Sequence, residues 1–178
     1  MENVLKKYFY LSACVFLLSG LGGCSSLAKM KTVNKIESID SEKSMVSIVR
    51  PHIFLGDGVN FEVWDGNKFI GTLEAGSMIQ YVTLPGEHDF MIDPTQGGRW
   101  AHKNMNLEAG KTYYLKPNTV PFVGLKLGVA QPTDTRIDKW NKGLTPLAID
   151  ENKSKIVPQK NISEAESILK KIKMKSSS

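Results

Sequence analysis

Cysteine is scarce in this sequence, and its scarcity limits what can hold the fold together. The chain has two cysteines among 178 residues, Cys14 and Cys24, and both lie near its N-terminus. The part after Cys24 therefore lacks a thiol, which excludes a disulfide framework and a cysteine-based zinc site from it. We expect the stability of that part to come from packing alone.

Histidine and catalytic motifs are equally sparse. The three histidines, His52, His88 and His102, lie on different segments without the short spacing of zinc ligands. The chain contains no Gly-x-Ser-x-Gly and no His-Glu-x-x-His motif. We therefore expect no metal, no cofactor and no enzyme activity. An envelope enzyme with scattered catalytic groups is kept as the third-ranked hypothesis.

The charge excess is small for a chain of this size. Lysine and arginine number 23 against 18 acidic residues, which gives a net charge of +5. Removing residues 1–23 would take away Lys6, Lys7 and Glu2 and leave +4. Such a mild excess does not predict nucleic-acid binding. The hydrophobic fraction of 41% is enough for the core of a folded domain.

No hydrophobic run reaches the ~20 residues that a membrane-spanning helix needs. The most apolar stretch, residues 8–18, follows Lys6-Lys7 and precedes Leu21-Gly22-Gly23-Cys24. This order is typical of a signal peptide, here residues 1–23. Leu21-Gly22-Gly23-Cys24 resembles a lipobox, in which signal peptidase II cuts before a lipid-bearing cysteine. We predict lipidation of Cys24, with a transmembrane anchor as the alternative.

The residues after Cys24 predict where the anchored protein resides. Ser25, rather than aspartate, follows the cysteine, which resembles outer-membrane sorting in enteric bacteria. We therefore expect a lipoprotein of the cell envelope, on the outer membrane and facing the periplasm. Residues 24–44 are polar and rich in lysine, and they predict a lipidated tether that holds the domain off the lipid surface.

The stretch 45–116 has the pattern of short strands separated by turns. In residues 59–64, apolar Val59, Phe61 and Val63 alternate with polar residues, as in a half-buried strand. Asp65-Gly66 is a strong hairpin signal, because both residues tolerate positive φ. Seven strands are predicted at 45–50, 59–64, 68–73, 78–84, 88–92, 102–107 and 112–115, the last two pairing across Ala109-Gly110. This spacing favours a mostly β, antiparallel sandwich.

The turn residues carry a resemblance to a known family. They are Arg50-Pro51, Asp65-Gly66, Ile70-Gly71, Gly76-Ser77, Leu84-Pro85-Gly86-Glu87-His88 and Glu108-Ala109-Gly110-Lys111-Thr112-Tyr113-Tyr114. Together they resemble a bacterial lipoprotein domain family of unknown function, similar to PEGA-type and transthyretin-like β-sandwich modules. The resemblance implies a small immunoglobulin-like or transthyretin-like sandwich with a C-terminal helix. It implies no chemistry, because turn motifs specify a fold rather than a site.

Two further segments follow the predicted sandwich. Residues 117–158 are expected to be an irregular extension, in which 122–129 forms either an eighth strand or a loop and 137–141 one helical turn. Residues 159–178 predict a C-terminal helix and tail, with a capping box from Ser163 to Glu166. One apolar stripe runs along this helix through Ala165, Ile168, Leu169 and Ile172. We expect the stripe to pack on the domain's own sheet, the alternative being a free helix that docks on a partner.

Three aromatic residues, Trp64, Tyr81 and Trp100, are the candidate ligand or partner surface. Trp64 follows the alternation of Asn60 and Glu62, so it should point away from the core, where an exposed ring stacks on sugars or anchors a protein contact. The alternative is that the C-terminal helix or residues 121–129 cover it. We expect a binding or scaffolding module whose partner is an envelope protein or peptidoglycan. The alternative function is a glycan- or peptidoglycan-binding module that uses these aromatics.

The lysines at the end of the chain leave two interpretations open. Lys170, Lys171, Lys173 and Lys175 lie close together. They either contact anionic lipid or interact favourably with the negative C-terminal end of the helix dipole.

Overall fold

The structure is a computed structural model that describes residues 26–53, 57–95, 97–120 and 124–176. Its strands are β1 (Met30–Thr32), β2 (Ser44–Arg50), β3 (Phe61–Asp65), β4 (Lys68–Leu73), β5 (Ser77–Thr83), β6 (Gly86–Pro94), β7 (Ala101–Leu107), β8 (Thr112–Val120), β9 (Gly124–Val129) and β10 (Thr145–Ile149). Its helices within these ranges are α1 (Arg136–Gly143) and α2 (Gln159–Ser176).

The strands form two sheets. A six-stranded sheet has the order β1-β10-β5-β2-β8-β9, and a four-stranded sheet has the order β4-β3-β6-β7. The predicted mostly β, two-sheet architecture with a C-terminal helix is therefore confirmed. The seven predicted strands correspond one by one to β2 through β8. Within the described residues, three more strands are present: β1 precedes the seven predicted strands, and β9 and β10 follow them.

The core lies between the sheets and follows from the period-2 alternation of the strands. Val46 and Ile48 of β2 pack against Val63 of β3 and Phe90 of β6, all fully buried. Trp64 and Met91 belong to a separate cluster on the outer face of the four-stranded sheet, which α2 covers. Both faces of this sheet are therefore buried.

Of the two predicted hairpins, one forms, and at the other the chain crosses from one sheet to the other. The hairpin at Asp65-Gly66 joins β3 to β4, and Gly66 has a φ of 59°. The pairing predicted across Ala109-Gly110 is wrong, because β7 pairs with β6 whereas β8 pairs with β2 and β9. A turn motif fixes a reversal of the chain, but long-range contacts decide which sheet receives the next strand.

The predicted tether is also wrong for the described part, because residues 26–37 pack against the sheets. We call these residues the N-terminal segment. The Leu27 amide donates to Glu62 Oε1 at 2.8 Å, and β1 pairs with β10. Further along, the amide of Ile36 donates to the Gln80 side chain and its carbonyl accepts from the same side chain, at 2.7 and 3.0 Å. Polar composition does not by itself predict a free chain when the backbone groups find partners in the fold.

The extension is more regular than expected. Residues 124–129 form β9, which pairs with β8, whereas 121–123 of the predicted eighth strand lie outside the described residues. Helix α1 is longer than the single turn predicted. Its Trp140 packs on Val49 and Met78, on the outer face of the six-stranded sheet.

Helix α2 packs as predicted and begins at the predicted residue 159, before the predicted capping box. Its apolar stripe lies on Trp64 and Met91, with Ala165 fully buried. Because the helix begins at Gln159, the predicted capping box from Ser163 to Glu166 is wrong. Glu166 Oε1 instead accepts a hydrogen bond from Asn67 Nδ2 at 2.9 Å.

Lys173, near the end of α2, contacts the four-stranded sheet. Lys173 Nζ lies 2.7 Å from Asp89 Oδ2 on the four-stranded sheet. This ion pair ties the last turns of the helix to β6.

Candidate functional site

The predicted aromatic surface does not exist as an exposed platform. Trp64 is only 1% exposed and lies beneath α2, so its assignment as an exposed ligand-stacking residue is wrong. The alternative, that the C-terminal helix covers Trp64, is what the structure shows. The predicted lipidation residue, Cys24, lies outside the described residues.

The other two aromatic residues are separated from each other. Trp100 is half-buried beside Trp64, with 6.3 Å between the ring centroids. Tyr81 packs instead against the core between the sheets, and its hydroxyl donates to Asp65 Oδ2 at 3.2 Å. The structure therefore brings Trp64 and Trp100 together but does not place Tyr81 with them.

The histidines are also separate, and each lies beside its own aspartate. The pairs are His52–Asp57 at 2.8 Å, His88–Asp65 at 2.6 Å and His102–Asp89 at 2.9 Å. Among the residues that the structure describes, no three histidine, cysteine or acidic side chains come together in a group that could hold a metal ion.

A cleft at one end of the sandwich is the best candidate site. It has a volume of about 560 Å³, which is within the usual range for small-molecule sites. Its described lining comes from the ends of β2, β3, β6, β8 and β9 and includes Arg50, Pro51, Ile53, Val59, Phe61, Pro94, Pro117 and Leu125. We call it the end cleft.

The end cleft opens because β2 and β8 separate. Their parallel pairing runs from Met45 and Thr112 to Ile48 and Leu115 and then stops, although both strands continue. In the same register Arg50 would face Pro117, which has no amide hydrogen to donate to a ladder. Strand β8 continues along β9 instead, and the gap beside Arg50 becomes part of the cleft.

Arg50 supplies a buried positive charge to this cleft. It is 4% exposed, its Nη1 donates to the Leu73 carbonyl at 3.0 Å, and its guanidinium carbon lies 4.2 Å from the centroid of the Phe61 ring. Burial lowers the pKa of Arg50, and the nearby Asp57 carboxylate partly opposes this effect. Arginine nevertheless stays protonated at any physiological pH.

The alternation along β2 indicates that the Arg50 side chain points inward, although the sequence analysis used Arg50 only to mark the end of a strand. Arg50 has the same parity in β2 as Val46 and Ile48, whose side chains lie in the core between the sheets. A charged residue at an inward position of a buried strand is rare without a specific role. This parity would have placed the guanidinium at the inner wall of the sandwich.

The N-terminal segment begins beside the end cleft. Asn60 Nδ2 donates to Ser26 Oγ at 3.2 Å. Asn60 stands between Val59 and Phe61, which both line the cleft. Ser26, the first residue that the structure describes, therefore lies beside the wall of the cleft.

A group of carboxylates lies where the N-terminal segment, β3, β6 and α2 meet. Glu62 is buried, and burial raises its pKa, although hydrogen bonds from the Leu27 amide and the Thr72 hydroxyl oppose the rise. Burial, followed by repulsion from Glu164 and Glu62, raises the pKa of Asp93 to about 6. Between about pH 4 and pH 6, the native protein therefore holds a proton on Asp93 that the unfolded chain releases.

Near the C-terminal end of α2 the pKa of a carboxyl group is lowered rather than raised. Burial would raise the pKa of Asp89, but hydrogen bonds from Lys173, His102 and Asn104 lower it to about 2. The helix is thus held at this end by an ionised carboxylate that is matched by donors.

We expect Asp93→Asn to stabilise the protein above about pH 6 and to change its pH dependence. The native Asp93 carboxyl takes up a proton near pH 6, whereas the unfolded one does so near 3.8. The free energy of unfolding should therefore rise as the pH falls from about 7 to about 4, and the variant should lose this contribution. Urea unfolding at a series of pH values measures the effect.

Asp138→Asn is the matched control for this substitution, because Asp138 is exposed on α1. It makes the same change of charge away from the buried carboxylates. Equal pH profiles for Asp93→Asn and the unmodified protein would contradict the prediction.

Known proteins give no further guidance on this site. No family model, no curated protein and no solved structure matches the chain. None of the helices in the described residues is both long enough and apolar enough to cross a membrane.

Proposed function

We propose that this protein is a lipoprotein of the cell envelope that binds or scaffolds a partner and does not catalyse a reaction. The lipid on Cys24 anchors it to the outer membrane, facing the periplasm. The lipobox-like Leu21-Gly22-Gly23-Cys24 and the short apolar run before it support this anchor.

One observation carries the proposal beyond the sequence motif. Ser26, two residues after Cys24, is already hydrogen-bonded to Asn60 in the body of the sandwich. A tether would let the domain move away from the lipid surface, whereas this contact holds the domain next to it. On this proposal the module sits on the membrane with a defined orientation.

The orientation places one end of the sandwich near the bilayer and the other end away from it. Pro94 of β6 pairs with Phe61 at the near end, beside Asn60, and Gly86 lies at the far end of the same strand. The eight residue steps between them span about 26 Å. The near end contains the end cleft, and the far end presents the exposed Leu84.

Energy transfer to a membrane dye tests this orientation. The mature chain has no thiol besides the lipidated Cys24, so Ile53→Cys and Leu84→Cys each give a single labelling site. Both positions are exposed, at 48% and 61%. In vesicles that carry an acceptor dye in the lipid, we expect clearly stronger transfer from the label at position 53.

A linker variant is the control. A long Gly–Ser insertion between Ser25 and Ser26 frees the body from its anchor, so the difference between the two labels should nearly vanish. Equal transfer from both sites in the chain without the insertion would contradict the proposed orientation.

The alternative glycan-binding function receives no comparable support. It depends on exposed aromatic rings, and Trp64, Trp100 and Tyr81 are all engaged with neighbouring residues. We therefore do not extend the proposal to peptidoglycan stacking.

A further inference from the structure

Ile156 is the most exposed large apolar residue that the structure describes. It is 95% exposed and lies in residues 150–158, between β10 and α2. We call these residues the Ile156 loop. A single exposed apolar side chain is common on protein surfaces and does not by itself indicate an interaction. The surroundings of Ile156 do, because they hold the side chain outward and place it among lysines.

The Ile156 loop is held in place on both sides of Ile156. Before it, the Asp150 amide donates to the Lys29 carbonyl at 2.8 Å. The Lys29 amide donates to Ser154 Oγ at 2.9 Å, and the Ser154 hydroxyl donates back to the Lys29 carbonyl at 3.1 Å. After it, Val157 packs in the cluster beneath α2. A loop that is already ordered loses little conformational entropy when it binds.

Exposed lysines accompany Ile156 in and beside this loop. They are Lys29, Lys153, Lys155 and Lys160. Residues 151–160 contain only one acidic residue, Glu151. Lys153 lies 3.4 Å from Asp150 Oδ2, whereas the other three lysines form no ion pair with the described residues. An apolar side chain among basic ones matches the boundary of an anionic bilayer, where phosphates lie outside and acyl chains inside.

The Ile156 loop lies at the end of the sandwich that the proposed function turns toward the bilayer. Glu164, in the first half of α2, repels Asp93, which precedes Pro94 at the near end. Lys173, in the last turns of the helix, pairs with Asp89 further along β6. The helix therefore runs away from the near end, and the loop before it lies at that end. This step rests on the proposed function, since only the anchor places that end beside lipid.

We infer that the Ile156 loop is a second membrane contact of this protein, formed with anionic phospholipids. The Ile156 side chain enters the boundary between head groups and acyl chains, and Lys29 and Lys155 lie against phosphate oxygens. Each lysine near an anionic surface strengthens binding about fivefold, and burial of the isoleucine adds about tenfold or more. These contributions orient a chain that its own lipid already anchors, rather than replace that anchor.

Photolabelling of the full chain in vesicles tests this inference. The vesicles contain phosphatidylcholine alone or with phosphatidylglycerol, and both carry the same trace of phosphatidylcholine with a diazirine high on one acyl chain. Labelled residues are mapped by mass spectrometry. We expect the label to concentrate at residues 155–158 and to increase about fivefold or more when phosphatidylglycerol is present. Added salt should remove this increase, because it screens exposed charges. The comparison needs no substitution, so it does not depend on a variant that folds.

Two variants and two matched controls sharpen the test. Ile156→Ser should reduce the label at this loop about tenfold, whereas Leu84→Ser removes an apolar side chain that is 61% exposed at the far end and should leave the label unchanged. Lys155→Gln should reduce the label about fivefold in the anionic vesicles only. Lys139→Gln removes an exposed lysine of α1 and should have no effect. Because all four side chains are exposed, the midpoint of urea unfolding should be unchanged in each variant.

The outcomes separate this inference from the proposed function. Lipidation of Cys24 is read from the intact mass of the same sample. A lipidated chain whose label is spread evenly, or is the same with and without phosphatidylglycerol, overturns only the inference, in favour of a protein partner for Ile156. An unlipidated chain with charge-dependent label at the loop contradicts only the lipoprotein proposal, and an unlipidated chain without that label contradicts both.

Discussion

Trp64→Ala should lower the free energy of unfolding by about 3–5 kcal/mol, the usual cost of truncating a large buried aromatic residue. Trp64 is 1% exposed and packs edge-on against Phe69, with 5.1 Å between the ring centroids. It also lies in one cluster with Ala165 of α2. The substitution leaves a cavity between β3 and the helix. Urea unfolding measures the loss.

The same variant tests whether α2 depends on the sheet. A helix in a protein gains most of its stability from the packing of its apolar face, so amide exchange across residues 164–171 should accelerate in Trp64→Ala. Protected amides in these residues, together with unchanged stability, would show that Trp64 does not support the helix.

Two substitutions serve as controls. Trp64→Phe keeps most of the ring contact and removes an indole N–H that has no hydrogen-bond partner among the described residues. Its cost should be smaller than that of Trp64→Ala, because it leaves a smaller cavity. Leu84→Ala changes a side chain that is 61% exposed and should fall within about 0.5 kcal/mol of the unmodified protein.

Cys24→Ser should abolish lipid attachment and leave an uncleaved precursor. In the proposed lipoprotein the Cys24 thiol is the nucleophile that takes the lipid, and a serine hydroxyl would not replace it because it is not ionised at neutral pH. Each buried methylene contributes ~0.8 kcal/mol to anchoring, so the loss of the acyl chains removes the anchor. Incorporation of labelled palmitate and the mass of the chain measure the result.

The second cysteine provides the matched control. Cys14 lies within the apolar run of the predicted signal peptide, so Cys14→Ser should still be cleaved and lipidated. If Cys24→Ser takes up palmitate and matures, the lipoprotein proposal is wrong. If both variants lose the lipid, the fault lies in export rather than in the attachment residue.

Local patterns in the sequence were sufficient to predict most of the secondary structure. The alternation of Val59, Phe61 and Val63 and the turn at Asp65-Gly66 predict β3 and the hairpin to β4, because side-chain period and backbone dihedral preference act over a few residues. The apolar stripe from Ala165 to Ile172 likewise predicts which face of α2 is buried. These signals do not depend on the rest of the chain.

The candidate site could not be predicted in this way, because it depends on residues that are distant in sequence. The end cleft forms where β2 and β8 separate, and no local pattern places Arg50 beside Phe61 and Pro117. The alternation correctly pointed Trp64 away from the core between the sheets. It could not reveal that a helix about 100 residues later covers that face.

The sequence by itself determined the positions of strands β2 to β8 and the buried stripe of α2, since each depends on neighbours along the chain. Only the tertiary structure decided that β7 and β8 belong to different sheets and that residues 26–37 pack on the fold. The physical reason is that a surface covered by a distant segment can have the same local sequence pattern as a surface exposed to solvent. Free energy from contacts between distant segments, such as Ser26 with Asn60, chooses between them.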